Sequence, residues 1–249
     1  MKNHSFAIAT PSLPPMPAWK RGLDLACCLL ALPFLAVLTL LLTVITRLVS
    51  PGPVFFRQER VGLKGRRFFI YKFRTMHVNA ATKGHEAYYK HLMASGEPMQ
   101  KLDSKGDQRL FPLAWMLRAS GLDELPQVIN ILRGEMSVVG PRPCVPYEYE
   151  EYEPWQRRRF DSTPGLTGLW QVSGKNRLSF AEMVQLDLRY SRDRNAALDA
   201  RIVLLTVPAL LIQIGETRRA RRSRSRPAAA DPARPIFPSQ SPGAQLKSS

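Results

Sequence analysis

The sequence predicts an α+β fold, mainly helical, in which an N-terminal re-entrant membrane helix precedes a small cytosolic domain of short strands and interfacial amphipathic helices. Three observations carry that expectation. Residues 25–46 form a run of 22 without a charged side chain, enough at about 1.5 Å per residue to cross a hydrocarbon core. Residues 54–58 and 68–74 are short, aromatic-rich and separated by Gly62 and Gly65, the pattern of strands joined by a turn. Apolar residues recur at helical spacing at Leu122, Leu125, Ile129 and Leu132, and again through residues 180–190 and 198–214.

The apolar run admits three readings: a cleaved signal peptide, a spanning helix, or a re-entrant helix that dips in and returns. Asp24 at its start, its length, and Arg47 following without a small-residue cleavage site count against a signal peptide. Basic residues flank both ends, Lys20 and Arg21 before it and Arg47, Arg57, Arg60, Lys64, Arg66 and Arg67 after it. Positive charge stays on the cytoplasmic side, so both ends belong there, which favours a re-entrant hairpin. Pro33 supplies a break, because it removes a backbone hydrogen bond and clashes with the preceding turn. A kinked spanning helix stays open, since prolines are tolerated in spans.

Of the 249 residues, the first 17 and those from 217 on are too polar or proline-rich to join a core. The expected organisation is a flexible N-terminus over 1–17, a membrane helix over 18–49, one folded domain over 50–216 and a disordered basic tail over 217–249. The net charge is +16; residues 217–249 carry seven Arg and one Lys against Asp231 alone, a net +7, which leaves +9 for the rest. Such an excess suits nucleic acid, anionic lipid or phosphorylated substrates, and charge does not choose among them. Cys27 and Cys28 are neighbours inside the apolar run and only Cys144 remains, which argues against a disulfide framework or zinc site and for a reducing compartment.

Within the domain, Ser50-Pro51-Gly52-Pro53 ends the membrane helix, and residues 80–105 are polar and irregular with a helix around 86–93. Residues 147–160 read as a surface helix. The apolar stretch of 198–214 is too short to span a bilayer comfortably; it lies in the interface or packs in the core.

The most informative run is Leu122-Asp123-Glu124-Leu125-Pro126-Gln127, with Arg118 upstream and Gly140-Pro141-Arg142-Pro143 downstream. Ser120 can cap the helix, with Asp123 three residues on. Taken alone, two carboxylates there are an ordinary acidic first turn facing the helix dipole. Together with the arginines they form a layout for phosphate: one carboxylate can attack phosphorus while the other holds a divalent cation. Such an attack brings like charges together at a cost on the order of several kcal/mol, so cationic partners are required. Arg118, Arg142 and a magnesium ion would supply them, and Arg142, between two prolines, is rigidly placed.

Lys72 and Arg74 are either a basic strand end or a second phosphate contact. Gly165, Gly168, Trp170, Gln171, Gly174, Lys175 and Asn176 have the make-up of a nucleotide or sugar loop, glycines permitting close approach and Trp170 offering a stacking face. His4, His77, His85 and His91 show no metal-binding pattern.

Four ordered motifs, SPGPVFFRQERVG, IYKFRTM, DQRLFPLAWMLRASGLDELPQVINILRGEMSVVGPRP and PGLTGLWQVSGKN, resemble the bacterial sugar transferase family, the monotopic polyprenyl-phosphate phosphoglycosyltransferases. The resemblance runs from Lys20 to about Ile214. It implies a catalytic domain on the cytoplasmic face of the bacterial inner membrane, transferring a sugar 1-phosphate from a nucleoside diphosphate sugar, usually a UDP-sugar, to undecaprenyl phosphate with release of UMP. Carried onto matching positions, it implies Asp123 as the nucleophile of a phosphosugar-aspartyl intermediate and Glu124, with Asp123, as the magnesium site. Arg118 and Arg142 match phosphate contacts, and Lys20, Arg21 and Asp24 match a motif at the membrane entrance. Two departures stand out: the breaking proline, usually near the position of Val37, is here Pro33, one turn earlier, and the chain looks like a minimal catalytic form with a single long apolar run.

A rival reading is a catalytically silent membrane scaffold of a polysaccharide-export complex, disfavoured by the presence of Asp123, Glu124, Arg118 and Arg142 together. Nucleic-acid binding is not expected, since it would leave the acidic helix start unexplained; the arginines of 218–226 better suit anionic lipid headgroups. The sequence leaves open which sugar is transferred, the oligomeric state and the pathway served.

Overall fold

The computed structural model describes residues 16–78, 84–98, 109–111, 114–175 and 177–225. The expected flexible terminus over 1–15, His4, Asn176 and the tail from 226 onward lie outside the described residues. Helix α1, Ala18–Val49, continues through Pro33 as one helix, where the sequence suggested helix, break, helix. Cys28, Leu35 and Leu42 are buried and Ala31, Leu38 and Ile45 pack beside them, a 3-4-3-4-3 spacing that forms one inward stripe. The other face, including Leu29, Leu30, Phe34, Val37, Leu40, Leu41, Val44 and Leu48, is exposed. An apolar surface of that extent is costly in water and suits hydrocarbon. Thr39, Thr43 and Thr46 return their hydroxyl protons to the carbonyls of Leu35, Thr39 and Leu42, so these three hydroxyls are satisfied within the helix.

Both ends of α1 are tied to the rest of the protein. At the start, the buried Lys20 ammonium donates to Val139 O at 2.8 Å and pairs with Asp199 at 2.6 Å, while Asp24 accepts from Ser137 Oγ and Val138 N at 2.8 Å each. Arg21 donates to the carbonyls of Ile131 and Leu132. At the far end, Arg74 holds the turn through Ser50 Oγ, Ser50 O and Pro53 O.

The expected strand segments form an antiparallel hairpin of β1, Phe55–Val61, and β2, Arg67–Phe73. Aromatic and β-branched residues fit this half-buried pleat, and Lys64 and Gly65 make its turn at positive φ. Helix α2, Gly84–Ser95, covers the helix expected around 86–93. Helix α3, Ala114–Ser120, is followed by a 3-10 turn, Leu122–Gln127, and by α4, Val128–Leu132. Asn130, fully buried, docks α4 on the hairpin: its Oδ1 accepts from Tyr71 N at 3.2 Å and its Nδ2 donates to Phe69 O and Glu135 Oε2 at 2.7 Å. The side-chain amide thus takes the place of a neighbouring strand for β2.

Strand β3, Ser137–Val139, then pairs in parallel with β4, Gly165–Thr167. A Cβ on Gly165 would lie 2.0 Å from Gly140 N, so two glycines are needed where these backbones touch. The segment expected as one surface helix over 147–160 is broken by Pro154 into α5, Pro146–Glu151, and α6, Pro154–Arg157, and then a 3-10 turn, Arg158–Asp161. It is not wholly superficial: Tyr152, Gln156, Arg159 and Phe160 are buried. A short α7, Leu169–Val172, precedes α8, Phe180–Asp193, which opens on a reciprocal cap between Ser179 and Glu182.

Helix α9, Ala196–Ser225, runs past the expected end of the folded part at 216, and there the Arg221 guanidinium lies 4.7 Å over the Trp115 ring. The predicted disorder of the tail is corrected for 217–225. Of the two environments left open above, the core is seen at Ile202, which packs against Val139 and Tyr190, while Leu204, Val207, Leu211 and Ile212 are exposed. By length and composition alone α9, like α1, is long and apolar enough to cross a membrane.

Two substitutions test this packing. Asn130→Asp removes the donor to Phe69 O and sets a second carboxylate against Glu135, and is expected to cost about 1–3 kcal/mol, read as a lower melting temperature of the detergent-solubilised protein; an unchanged melt would refute the docking role. Gly165→Ala is expected to cost about 3 kcal/mol or to abolish folding, because backbone rather than a flexible side chain meets the added methyl.

Candidate active site

The acidic pair sits on a tight turn. Gly121, at φ +72°, ends α3 in the left-handed region, and Glu124 N closes back on Gly121 O at 3.0 Å. Pro126 has no N–H to continue an α pattern, consistent with the 3-10 winding. Ser120 does not cap the turn, contrary to expectation: its hydroxyl donates backwards to Met116 O and Leu117 O. Asp123 is buried, and the Glu124 side chain is 19% exposed.

The structure brings Lys72 and Arg142 onto this pair. Lys72 Nζ, from β2, lies 2.7 Å from Glu124 Oε1, and Arg142 Nη2, just beyond β3, lies 3.4 Å from the same oxygen. Asp123 also acts on both cations. Burial lowers the pKa of Lys72 against the pull of Glu124, whereas Glu124 raises that of Arg142 against burial. A small cleft is bounded by Arg60, Lys72, Glu124, Gln127, Arg142 and Leu166.

Arg118 and Arg74 are placed differently. Arg118 Nη1 donates to Thr75 Oγ1 at 3.2 Å. All three Arg74 nitrogens engage Ser50 and Pro53, so this buried guanidinium braces the exit of α1 and is not directed at the acidic pair. In the glycine-rich loop, a Cβ on Gly168 would lie 2.4 Å from Gly140 O, so this glycine serves the close passage of two backbone segments. Trp170 is buried with Tyr152, Phe160 and Phe180 and offers no open stacking face. Gln171 Nε2 lies 3.4 Å from Leu166 O, beside the cleft wall.

Three participants carried no sequence signal of their own. Arg60 counted only as one flanking charge, yet β1 places it in the cleft because Val61 N bonds Cys144 O, two residues past Arg142. Asn130 read as a helix residue. Arg159, inside a run of arginines, is buried; its Nη2 donates to Arg142 O at 3.2 Å and pairs with Asp187 at 2.5 Å. That pair fixes the backbone carrying Arg142, and spacing along the chain gives no hint of it.

Among the described residues no three or more His, Cys, Asp or Glu side chains converge on a metal position. Two adjacent carboxylates nevertheless suit magnesium, which takes one or two carboxylates and completes its shell with water and phosphate oxygens. The arrangement as a whole can bind a multiply charged anion and set a carboxylate against it.

Comparisons with known proteins identify the family. The bacterial sugar transferase family matches residues 16–213. The chain is 38% identical over 196 residues to the exopolysaccharide production protein ExoY of Sinorhizobium fredii, covering 79% of this chain and 87% of that one. It is 38% identical over 202 residues to the UDP-glucose:undecaprenyl-phosphate glucose-1-phosphate transferase of Caulobacter vibrioides, covering 77% and 69%. With the galactosyl transferase CpsE of Streptococcus agalactiae it is 38% identical over 200 residues, which are 79% of this chain and 43% of that longer protein. The chain therefore belongs to the bacterial sugar transferase family, a family of transferase enzymes.

Proposed function

We propose that this protein transfers a sugar 1-phosphate from a UDP-sugar to undecaprenyl phosphate, releasing UMP and starting the assembly of an exopolysaccharide or other surface glycan. The observation that carries this reading is Glu124, next to the buried Asp123, faced by Lys72 and Arg142 within one cleft. An Asp123 carboxylate oxygen attacks the sugar-bearing phosphorus; the P–O bond to the nucleotide phosphate breaks and UMP leaves with the bond electrons. A phosphate oxygen of undecaprenyl phosphate then attacks the same phosphorus, the bond to Asp123 breaks, and the carboxylate is restored on release of the lipid-diphosphate sugar. Lys72 and Arg142 hold the phosphate oxygens and offset the charge of the approaching carboxylate. Magnesium, held by Asp123 and Glu124 with phosphate oxygens, would supply further positive charge when bound.

The membrane reading is the re-entrant one, with the catalytic domain on the cytoplasmic face of the inner membrane. In support of the re-entrant reading, although α1 is not interrupted at Pro33, both its start and the residue just past its end are hydrogen-bonded to the one domain, through Lys20 and Asp24 and through Ser50.

In nanodiscs with undecaprenyl phosphate, magnesium and a panel of UDP-sugars, the protein is expected to release UMP with at least one donor. Asp123→Asn should slow release about a thousandfold or more at an unchanged melting temperature. Wild-type rates from that variant would rule out the aspartyl intermediate, and no release by folded protein with any donor would return the scaffold reading. For the topology, Pro17→Cys and Gly52→Cys, each in a background lacking Cys27, Cys28 and Cys144, should both react with an impermeant maleimide only from the cytoplasmic side. Labelling from opposite sides would establish a span.

A further inference from the structure

We propose that Gln213 is a positioning residue of this site: from α9 it fixes the end of α3, and so the placement of the acidic turn that follows. The inference rests on the aspartyl reading above and adds to it a residue that acts through the backbone without touching substrate. Gln213 is buried and is the one carboxamide of α9. Its Nε2 donates to Ala119 O at 2.9 Å and to Arg118 O at 3.2 Å, 94 and 95 positions earlier in the chain. Its Oε1 accepts from Lys175 Nζ at 3.1 Å, so both ends of the amide are engaged and its orientation is set.

The carbonyls it meets are ones that α3 cannot satisfy by itself, because the last four C=O groups of a helix have no intrahelical donor. In α3 the Ser120 hydroxyl serves Leu117 O, and Gln213 serves the two carbonyls that follow. The contact with Ala119 O is buried, so without the amide that carbonyl loses a hydrogen bond that water does not readily replace. Helix α3 has only 7 residues, too few to hold its shape alone. Helix α9 grips it at both ends: Arg221 lies over Trp115, and a Cβ added to Gly121 would lie 3.3 Å from Leu210 Cδ2.

The acidic turn is built directly on this helix end. Gly121 follows Ser120 at positive φ, and Glu124 N closes on Gly121 O. An end free to shift moves the Asp123 carboxylate relative to the phosphorus it attacks, while Lys72 on β2 and Arg142 beyond β3 keep the places their strand pairings give them. A displacement of about 1 Å is enough to cost about a hundredfold in rate. Phosphate binding is left to the cations, so the loss falls on kcat and not on KM.

The test measures UMP release by full-length protein in nanodiscs, wild type beside Gln213→Met, which fills similar space without a donor, and Gln213→Glu, which keeps an acceptor for Lys175. With melting temperatures showing folded protein at the assay temperature, kcat is expected to fall about tenfold or more in both, and both KM values to hold within about threefold. The burst of UMP released without undecaprenyl phosphate should slow by the same factor, since Asp123 attacks in that half-reaction. In a Lys175→Gln background, where no second ammonium repels it, Gln213→Lys restores a donor to the end of α3 and should turn over faster than Gln213→Met. Wild-type kcat in Gln213→Met, wild-type kcat in Gln213→Glu, a loss confined to KM, or equal rates for Lys and Met in the Lys175→Gln background would overturn the assignment. If Gln213→Met does not fold, Gln213→Glu is read in its place. Wild-type protein that releases no UMP with any donor would instead remove the aspartyl reading itself, and that failure shows without any variant.

Discussion

A buried ammonium holds this protein together. Lys20, near the start of the membrane helix, is withdrawn from water and meets Val139 O, the Tyr190 hydroxyl and the Asp199 carboxylate. Those acceptors come from β3, α8 and α9, so one cation joins four elements distant in the chain. Removing one partner of such a pair strands the other charge at a cost of about 3–5 kcal/mol. Arg21 and Asp24 extend the same joint, the first to the end of α4 and the second to β3. Since α4 follows the acidic turn and β3 leads into Arg142, the first two turns of α1 brace both limbs of the site. The helix with the exposed apolar face and the acidic turn therefore share one scaffold.

The second constraint is electrostatic. A carboxylate approaching a diphosphate is opposed by like charge, and in a partly dry cleft that opposition is much larger than in water. Lys72, Arg142 and Glu124 form a pre-set arrangement that needs little reorganisation on binding. Its rigidity comes from behind: Arg159 and Asp187 grip the Arg142 backbone, and Asn130 fixes the acidic turn against the strand that bears Lys72. Tyr89, Tyr152, Phe160, Trp170 and Phe180 are spent on one core cluster.

Elements with a strong local cause were legible in the sequence. The length of the apolar run, the aromatic strands around Gly62 and Gly65, and the helical period of α8 depend on neighbours within a few residues. The acidic pair and Arg142 could be picked out because their types and order are unusual over a short span. Other features were ambiguous for a physical reason. A glycine that admits a ligand and a glycine that admits another segment need the same missing Cβ, so by sequence Gly168 reads as a ligand-loop glycine where the structure uses it for a backbone crossing. An aromatic beside glycines reads as a stacking platform or as core, and for Trp170 only burial decides. Arg74 and Lys72 are two residues apart on a strand end, yet one braces the α1 exit and the other meets Glu124.

The sequence by itself determined a mainly helical protein with a long apolar helix and an acidic turn flanked by arginines, because hydrophobic length, periodicity and charge are local properties. Only the tertiary structure decided which cations face that turn and which merely support the frame. Arg60, Lys72, Glu124 and Arg142 come from three separate stretches of chain, and their meeting depends on the β1–β2 pairing, the Val61–Cys144 bridge and the Gly140–Gly165 contact. Those are long-range contacts whose partners no spacing along the chain encodes.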